Sequence, residues 1–345
     1  DQVLGLTFTR KAAAELSSRI TGALLGAQIV GAEDVDEAGE QVVLTYDAFA
    51  SRLVADHGLR IGEDGLTLML AGAARYGVAD QVVAQAPGEY PELAARWRPA
   101  EVVERVLALD TALSGHLCEP GAVIRFQQQF AKQLVGAPLY CGAPYKAISD
   151  AISTLQARAE LLNLVGRYRD RKRELGVAEF GDQMALAARL VQQVPDVGRL
   201  LRDQFRVVLL DEYQDTSSAQ ASLLRGLFSG DTPGQGRGHP VTAVGDPFQA
   251  IYGWRGAASS NILQFASSFP CPDGSPARRY NLSINRRSGT SILQVANQLA
   301  EPLRSDGRLL ARESSEPPAD PRLKAPIGTG AGLVRAGVFA TWPDE

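Results

Sequence analysis

The sequence is poor in the side chains that build metal clusters and disulfide frameworks. Cysteine and histidine occur three times each, as Cys118, Cys141, Cys271, His57, His116 and His239. They are scattered along the chain in spacings that match no zinc-binding pattern, and an odd number of distant cysteines forms no disulfide framework. We therefore predict no structural zinc site and interpret the histidines as incidental. Such sparse cysteine usage is typical of a protein in a reducing cytoplasm.

The chain also lacks long apolar runs and an excess of positive charge. No apolar run approaches the about 20 residues that a membrane-spanning helix needs, and no basic, cleavable leader precedes the first predicted strand. We therefore expect a cytoplasmic protein that is not exported. The 35 Lys and Arg residues are outnumbered by 39 Asp and Glu residues, and the net charge is −4. This balance argues against nucleic-acid binding through bulk charge, but it is compatible with a strand held in a local channel by stacking.

Among the residues that are present, the most informative stretch is VVLLDEYQD, from Val207 to Asp215. Its apolar half, Val207–Leu210, shows no polar alternation and predicts a strand buried on both faces of a parallel sheet. Asp211 and Glu212 would follow at the carboxyl end of that strand, where open α/β sheets bind ligands. A Mg²⁺-bound nucleotide would explain two adjacent acids, one holding the metal and one acting on a water. The alternative is a strand end with two solvated acids.

Several stretches of the chain carry a family resemblance. DEYQDT at 211–216 and GDPFQAIYGWRGA at 245–257 resemble motifs II and III of the UvrD/Rep/PcrA-type superfamily 1 DNA helicases. LTFTRKAAAEL at 6–16 resembles motif Ia, TYDAFASRLV at 45–54 resembles a DNA-facing stretch of the family, and NRRSGTSILQVANQLAEPL at 285–303 resembles motif IV. The resemblance implies an α/β fold: a RecA-like parallel-sheet core of the P-loop NTPase class, an inserted all-helical subdomain and the start of a second RecA-like domain.

The resemblance also implies a division of the chain into four segments. Residues 1–57 would form the first part of RecA-like domain 1A, with motifs Ia and Ib. Residues 58–175 would form the helical insertion 1B, and residues 176–281 the second part of domain 1A, with motifs II and III. Residues 282–345 would begin domain 2A with motif IV.

By resemblance, the chain would use ATP and Mg²⁺. Asp211 would coordinate Mg²⁺ and Glu212, beside the same metal, would polarise the attacking water. Gln249 would sense the γ-phosphate, and Arg287 would reach across from the second domain to stabilise charge on the transferring phosphoryl group. Arg286 stands where relatives carry a tyrosine that stacks on adenine, and a guanidinium can also stack on a flat base. Any of these residues taken alone would be read as a surface salt bridge or a cap.

The expected partners are single-stranded DNA and duplex junctions, with a nuclease or repair protein as a further candidate. The residues that the resemblance assigns to DNA are Phe8, Thr9, Tyr46, Tyr252, Trp254 and Arg255. Aromatic rings in such positions can stack on bases without reading their sequence. The alternatives are a core Phe8, an ordinary helix N-cap at Thr9 and a core Trp254. Asp47 replaces the histidine of relatives, and an acid there would repel a phosphate backbone.

The local patterns add four predictions. A helix around Ala151–Leu175 carries six basic residues, Arg158, Arg167, Arg169, Arg171, Lys172 and Arg173, which would contact DNA or form a solvated face. A further helix is predicted near Asn261–Phe269. Strands are predicted at Arg279–Leu282 and at Leu333–Phe339.

The phosphate-binding loop G-x-x-x-x-G-K-[ST] occurs nowhere in the chain, and the glycine-rich Gly328–Gly332 lacks its Lys and hydroxyl residues. Motifs V and VI are missing as well. We therefore interpret the chain as an internal piece of a larger helicase and expect this piece alone to hydrolyse little or no ATP. The leading hypothesis is an ATP-driven DNA helicase and translocase in repair or recombination, moving 3′ to 5′ by resemblance. The alternatives are a DNA-binding scaffold with a degenerate helicase fold and the motor subunit of a helicase–nuclease.

Overall fold

A computed structural model describes residues 2–26, 42–63, 68–136, 145–253, 256–258, 260–305 and 322–337. The chain divides into two compact units, Asp1–Pro276 and Ala277–Glu345. Within the described ranges, every helix is too short or too polar to cross a bilayer. The predicted division into four segments remains a prediction.

The described residues of the first unit alternate between strands and helices. The strands are β1 Val3–Thr7, β2 Val42–Thr45, β3 Leu68–Met69, β4 Val177–Ala178, β5 Val207–Leu210 and β6 Val241–Ala243. The helices are α1 Arg10–Gly26, α2 Tyr46–His57, α3 Gly72–Gln85, α4 Pro91–Arg96, α5 Pro99–Gly115, α6 Pro120–Val135, α7 Lys146–Glu174, α8 Phe180–Gln193, α9 Pro195–Gln204, α10 Ser218–Phe228, α11 Ser260–Leu263 and α12 Phe265–Ser268. Short 3₁₀ turns include Tyr213–Asp215 and Pro247–Gln249. The described residues of the second unit contain one helix, α13 Thr290–Ser305.

The centre of the first unit is a four-stranded parallel sheet in the order β2-β1-β5-β6. Leu6 pairs with Leu44 on one side and with Leu210 on the other, and Leu210 in turn pairs with Ala243. The predicted strand at 207–210 is confirmed, and it is an inner strand of the sheet. Helices α2, α8 and α10 pack together in the same apolar core as the sheet. The α/β, parallel-sheet architecture expected from the sequence is therefore confirmed.

The helices between the two halves of this sheet build a second core of their own. Helices α3, α4, α5 and α7 bury an apolar cluster whose members include Leu93, Val103, Leu162 and Tyr168. Each buried aliphatic side chain contributes about 1.5–3 kcal/mol to folding. Strands β3 and β4 lie at the two ends of this helical segment in the chain, and they pair in parallel with each other. The segment therefore enters and leaves the α/β core at one place.

Two local strand predictions are wrong, and one predicted helix is interrupted. Residues 279–282 form no strand; the nearest pairing is an isolated bridge between Ile284 and Lys324. Residues 333–337 form no strand either, and 338–339 lie outside the described residues. The helix predicted near 261–269 is two short helices, α11 and α12, separated at Gln264. In each case the prediction came from the local pattern of a short segment, and such segments are ambiguous without tertiary partners.

Helix α7 confirms the helix predicted around 151–175, yet its most buried basic residue serves neither of the two predicted roles. Lys172 is only 3% exposed, and its Nζ lies 2.8 Å from Asp110, 3.0 Å from Glu179 and 2.7 Å from Asp182. Burial alone would lower the pKa of Lys172, but the three carboxylates outweigh burial and raise it. Arg169 also pairs with Asp110, at 2.5 Å. Lys172 therefore holds the helical segment to the start of α8, whereas Arg169 pairs with α5 inside the helical segment.

Candidate functional site at the carboxyl edge of the sheet

The candidate site lies where strands β1, β5 and β6 end. Because the strands are parallel, their carboxyl ends meet at one edge of the sheet, the edge at which such sheets bind ligands. Phe8, Asp211 and Gly245 lie close after these three strand ends. The residues that resemblance assigned to three separate motifs are thereby placed on one edge.

Asp211 is held by hydrogen bonds with β1 and with the first residue of α2. Its backbone N–H donates to the Leu6 carbonyl at 2.8 Å, which continues the β1–β5 pairing by one residue. Thr7 Oγ1 donates to Asp211 Oδ2 at 2.9 Å, and the Tyr46 hydroxyl donates to the Asp211 carbonyl at 2.9 Å. Thr7 is fully buried, while Asp211 is half-buried. Thr7 therefore orients one carboxylate oxygen of Asp211, while part of the residue remains accessible to solvent.

Tyr46 lies in the core instead of on a DNA-facing surface. Its side chain is 3% exposed, and burial, followed by the nearby Tyr213 and Asp211, raises the pKa of its hydroxyl well above the usual value. A ring without an exposed face cannot stack on a base. The DNA contact expected of Tyr46 is therefore corrected to a supporting role, in which its hydroxyl fixes the backbone of Asp211. Thr45, the residue before it, caps α2 by accepting the Ala48 N–H at 3.1 Å.

Glu212 follows with an unusual backbone. Its φ and ψ angles are 49° and 41°, in the left-handed region that non-glycine residues rarely adopt. Its side chain is exposed, and its Oε2 accepts a hydrogen bond from Gln214 Nε2 at 2.7 Å. Strained backbone of this kind concentrates at functional sites, where the surrounding structure holds it. The adjacent carboxylates have different partners, Thr7 for Asp211 and Gln214 for Glu212, so that they are available for different tasks.

Asp215 is the buried acid of this segment. It is 6% exposed, and burial, together with the charge of Glu212, raises the pKa of its carboxyl group. A hydrogen bond from Gln214 and the backbone amides of Tyr252 and Ile251 act in the opposite direction. Asp215 thus lies between the acidic turn and the chain that follows Gln249.

The loop after β6 orders a second polar group at the same edge. Asp246 Oδ1 accepts the Phe248 N–H at 2.9 Å, and its Oδ2 accepts Gln249 Nε2 at 2.8 Å. The first bond caps the 3₁₀ turn Pro247–Gln249. Gln249 is exposed, as a side chain that contacts a ligand must be. The turn therefore presents Gln249 on the outside of the sheet edge.

Two of the aromatic residues assigned to DNA contact each other. The rings of Phe8 and Tyr252 stack with centroids 5.0 Å apart and an interplanar angle of 29°. Both are half-buried, so neither is a core residue. Thr9 is exposed and its Oγ1 caps α1 by accepting the Ala12 N–H at 3.1 Å, the ordinary role considered for it. Trp254 and Arg255 lie outside the described residues.

The arginines assigned to the nucleotide belong to the second unit. Arg286 and Arg287 are both exposed. Asn285 Oδ1 accepts the backbone N–H groups of Arg287 and Ser288, each at 2.9 Å, which shapes the turn before α13. The glycine-rich segment rejected as a phosphate loop packs at this helix start, because Gly330 and Ala331 offer their carbonyls to the Thr290 and Ser291 N–H groups.

The donor set fits Mg²⁺ bound together with a nucleotide. Among the described residues, no group of three or more His, Cys, Asp or Glu side chains converges to hold a metal alone. Mg²⁺ in nucleotide sites needs only one or two carboxylates, since phosphate oxygens and waters complete its octahedron. Asp211, with one oxygen oriented by Thr7, can supply that single carboxylate.

Residues that the sequence reasoning did not select complete the site. Thr7 and Gln214 each bridge two motifs through side-chain hydrogen bonds, and the Asp246 side chain holds Gln249 within its own motif. Asn261 Nδ2 donates to the carbonyls of Thr216 and Ser217, at 2.9 and 3.2 Å, and so connects α11 to the end of the acidic segment. Only their position inside or beside the quoted motifs signalled them.

Comparison with known proteins places the chain among helicase sequences. The family model described as UvrD/REP helicase N-terminal domain matches residues 1–270. The ATP-dependent DNA helicase PcrA of Leuconostoc citreum is 28% identical over 299 residues, which is 86% of this chain and 32% of that protein. DNA helicase II of Escherichia coli K12 is 37% identical over 142 residues, 41% of this chain and 18% of the relative.

A third relative has a composite name. It is an ATP-dependent helicase/nuclease subunit from Syntrophomonas wolfei, 34% identical over 139 residues, which is 40% of this chain and 10% of that protein. The matched segments thus span about a third or less of each of these three relatives.

Proposed function

This chain belongs to the UvrD/REP helicase N-terminal domain family, and from that premise we propose that it carries the acidic part of an ATP site and part of a single-stranded DNA surface in an ATP-dependent DNA helicase. The activity, the DNA substrate and the 3′-to-5′ direction of movement are proposed for the complete gene product. A role in repair or recombination and a cytoplasmic location complete the proposal.

The observation that carries the proposal is the arrangement of acids at the end of β5. Asp211 accepts a hydrogen bond from Thr7 Oγ1 at 2.9 Å, and Glu212 follows it with a left-handed backbone. When bound, Mg²⁺ neutralises charge on the phosphates of ATP. Asp211 would hold the metal with its oriented carboxylate. Glu212 would accept a proton from, or orient, the water that attacks the γ-phosphate, and such general-base groups contribute about 10²–10⁴-fold to rate.

Two further residues would complete the nucleotide site. Gln249, exposed on the turn after β6, would sense the γ-phosphate through its side-chain amide. Arg287, in the second unit, would stabilise charge on the transferring phosphoryl group, and Arg286 would stack on the base. The turn that Asn285 caps holds the backbone of Arg287, whose side chain is exposed.

The DNA part of the proposal rests on Phe8 and Tyr252. Their stacked, half-buried rings, with centroids 5.0 Å apart, form a small aromatic surface at the same sheet edge. An unpaired base can stack on such a surface regardless of its identity, which suits a protein of net negative charge that moves along any sequence. Trp254 and Arg255 would extend this surface.

The test is hydrolysis of ATP by the complete gene product, with and without single-stranded DNA, for wild type and Glu212→Gln. We expect DNA-stimulated hydrolysis by wild type and a fall in kcat of about 10²–10⁴-fold in the variant, with ATP binding retained. Glu174→Gln, on an exposed residue at the end of α7, is the matched control and should keep the wild-type rate. No hydrolysis by wild type, or an unchanged rate in Glu212→Gln, would overturn the proposal.

A related experiment concerns residues 1–345 by themselves. Because this chain contains no G-x-x-x-x-G-K-[ST] sequence, it lacks the amides and lysine that cradle phosphates in this class. We expect the isolated chain to hydrolyse little or no ATP. Strong, DNA-stimulated turnover by the isolated chain would contradict that expectation and would point to a phosphate-binding element elsewhere in these residues.

Similarity to a helicase/nuclease protein favours a second candidate, the motor part of a helicase–nuclease. Both candidates share the ATP site described above and differ in whether DNA is cut. Incubating the complete gene product with linear duplex DNA, Mg²⁺ and ATP separates them. Unwound but intact strands support the simple helicase, whereas ATP-dependent shortening of the strands supports the helicase–nuclease. Intact duplex would leave the scaffold alternative, in which the fold binds DNA without a motor activity.

A further inference from the structure

The side-chain amide of Gln214 joins the two polar turns of the sheet edge. Its Nε2 donates to Glu212 Oε2 at 2.7 Å and lies 3.3 Å from Asp215 Oδ2. Its Oε1 accepts the backbone N–H of Asp246 at 3.1 Å. With 1% of its surface exposed, Gln214 is closed off from water. Both ends of the amide are therefore used, one on the acidic segment and one on the loop after β6.

The approach of the two turns is close enough to restrict the sequence. A Cβ added to Gly245 would lie only 2.4 Å from Gln214 Oε1 and 3.2 Å from the Gln214 backbone nitrogen. Only glycine leaves room for this contact, since carbon atoms do not approach oxygen at that distance. The Tyr213 N–H also donates to the Val244 carbonyl at 3.0 Å. The contact between the turns is thus built by backbone and side chain together.

The bond to Glu212 restrains a side chain that the backbone leaves exposed. Glu212 occupies the left-handed region, with φ of 49°, and its carboxylate extends toward solvent. An exposed glutamate samples several rotamers, and fixing one of them requires a partner. Among the hydrogen bonds of the described residues, Gln214 is the side chain that donates to the Glu212 carboxylate.

The bond to Asp246 extends this restraint to the second turn. Asp246 Oδ2 accepts Gln249 Nε2 at 2.8 Å. A continuous path of hydrogen bonds therefore runs from the Glu212 carboxylate through Gln214 and Asp246 to the Gln249 side chain. The same amide also contacts Asp215, which faces the backbone of Tyr252. Movement of the loop after β6 would therefore change the orientation of the Glu212 carboxylate.

We propose that Gln214 is a positioning residue that couples the orientation of the Glu212 carboxylate to the Asp246–Gln249 turn. The proposal rests on the proposed function, in which Glu212 acts on water and Gln249 meets the γ-phosphate. Displacement of Gln249 by a nucleotide would be transmitted through Asp246 and the Gln214 amide to Glu212. Gln214 contacts neither ATP nor water in this role, and it acts only through its neighbours.

The chemistry requires an amide at this position. Glutamate would keep an acceptor for the Asp246 N–H but would lose the donor to Glu212 and add a repelling charge beside it. Methionine has a similar length and neither polar function. These two variants separate the halves of the proposed connection, because Gln214→Glu breaks one contact and Gln214→Met breaks both.

The first experiment measures steady-state ATP hydrolysis by the complete gene product at saturating single-stranded DNA. For Gln214→Met and Gln214→Glu we expect kcat to fall about 10–100-fold, as for residues that orient a reacting group, while KM for ATP and the Kd for a dT oligonucleotide stay within about threefold. The matched control is Gln183→Met, because Gln183 on α8 is also buried and, among the described residues, bonds to none of the site residues. It should keep the wild-type kcat.

A double variant adds a test that a general loss of stability would not pass. Once Glu212→Gln has removed the carboxylate, Gln214→Met should reduce kcat little further, since residues acting through one group are non-additive. A Gln214→Met kcat equal to that of Gln183→Met, or a full second loss in the double variant, would overturn the coupling role alone. Absence of hydrolysis by wild type would instead overturn the proposed function, and the coupling role with it.

The second experiment needs no catalytic activity. Hydrogen exchange of the Asp246 amide, measured by NMR on the 345-residue chain, should speed up in Gln214→Met, because its acceptor is gone. It should stay protected in Gln214→Glu, which retains that acceptor, and in Gln183→Met. Equal protection in Gln214→Met and wild type would show that Gln214 does not hold the second turn and would overturn the proposal.

Discussion

Thr7 Oγ1 donates a hydrogen bond to Asp211 Oδ2 at 2.9 Å across 204 residues of sequence. Thr7 ends β1 and is fully buried, whereas Asp211 follows β5 and is half-buried. The pairing of the two strands in parallel brings the hydroxyl under the carboxylate. In metal sites, residues that hydrogen-bond to a ligating side chain orient that side chain and tune the affinity of the site for the metal.

Replacing Thr7 with valine, which has the same shape without the hydroxyl, should weaken activation of the complete gene product by Mg²⁺. We expect the Mg²⁺ concentration for half-maximal ATP hydrolysis to rise about 10–100-fold, because the Asp211 carboxylate loses its fixed orientation. Thr7→Ser keeps the hydroxyl, so its Mg²⁺ dependence should stay close to that of wild type. Identical Mg²⁺ curves for Thr7→Val and wild type would show that this bond has no part in metal binding.

Phe8→Ala and Tyr252→Ala should each weaken binding of a dT oligonucleotide by about 1–3 kcal/mol, the usual cost of losing one stacking ring. Because the two rings contact each other, the double variant should lose less than the sum of the single losses. Fluorescence anisotropy measures both effects.

Tyr46→Phe tests the corrected role of Tyr46: we expect DNA affinity within about twofold of wild type and a free energy of unfolding lower by about 1 kcal/mol. A DNA-binding defect in Tyr46→Phe comparable to that in Phe8→Ala would refute its assignment to the core.

Lys172→Met should lower the free energy of unfolding by about 3–5 kcal/mol, because it leaves three carboxylates around a buried position without their shared cation. Arg173→Met is the control on the next residue of α7, since the Arg173 side chain is 78% exposed and its ion pair with Asp170 lies on the surface. The control should change stability by less than about 1 kcal/mol. Urea unfolding of both variants decides the matter, and equal losses would mean that Lys172 is not a buried anchor.

His239 should make the stability of the chain depend on pH. Its ring stacks on Phe228, and burial lowers its pKa from the usual 6.5, an effect to which Arg202 and Arg206 add. A bond with the backbone of Phe205 raises the pKa and offsets part of that decrease. A histidine with a lowered pKa contributes stability that is present above about pH 6.5 and is lost as the pH falls through its folded pKa. We therefore expect wild type to lose stability on acidification through this range.

The measurement is urea unfolding at about pH 7.5 and about pH 5.5 for wild type and His239→Gln. The variant has no titrating group at this position, so its stability should change less between the two pH values. A wild type and variant with parallel pH profiles would mean that His239 titrates alike in the folded and unfolded chain.

The sequence by itself determined the elements whose residues stand next to each other in the chain. The unbroken apolar run at 207–210 is an inner strand, and the acids that follow it lie at the sheet edge. The order of the motifs was enough to indicate the family, which the match over residues 1–270 bears out. These features are local or are carried by short strings of residues, so they can be read along one chain.

Tertiary structure decided which distant side chains meet. Nothing in the run of residues around Tyr46 or Lys172 distinguishes an exposed ring or cation from a buried one, and both turned out to be buried. The bonds from Thr7 to Asp211 and from Gln214 to Asp246 connect separate strands, so they depend on the register of the sheet. Burial and hydrogen bonding are properties of the packed whole, because a side chain's neighbours are set by the fold and not by its place in the sequence.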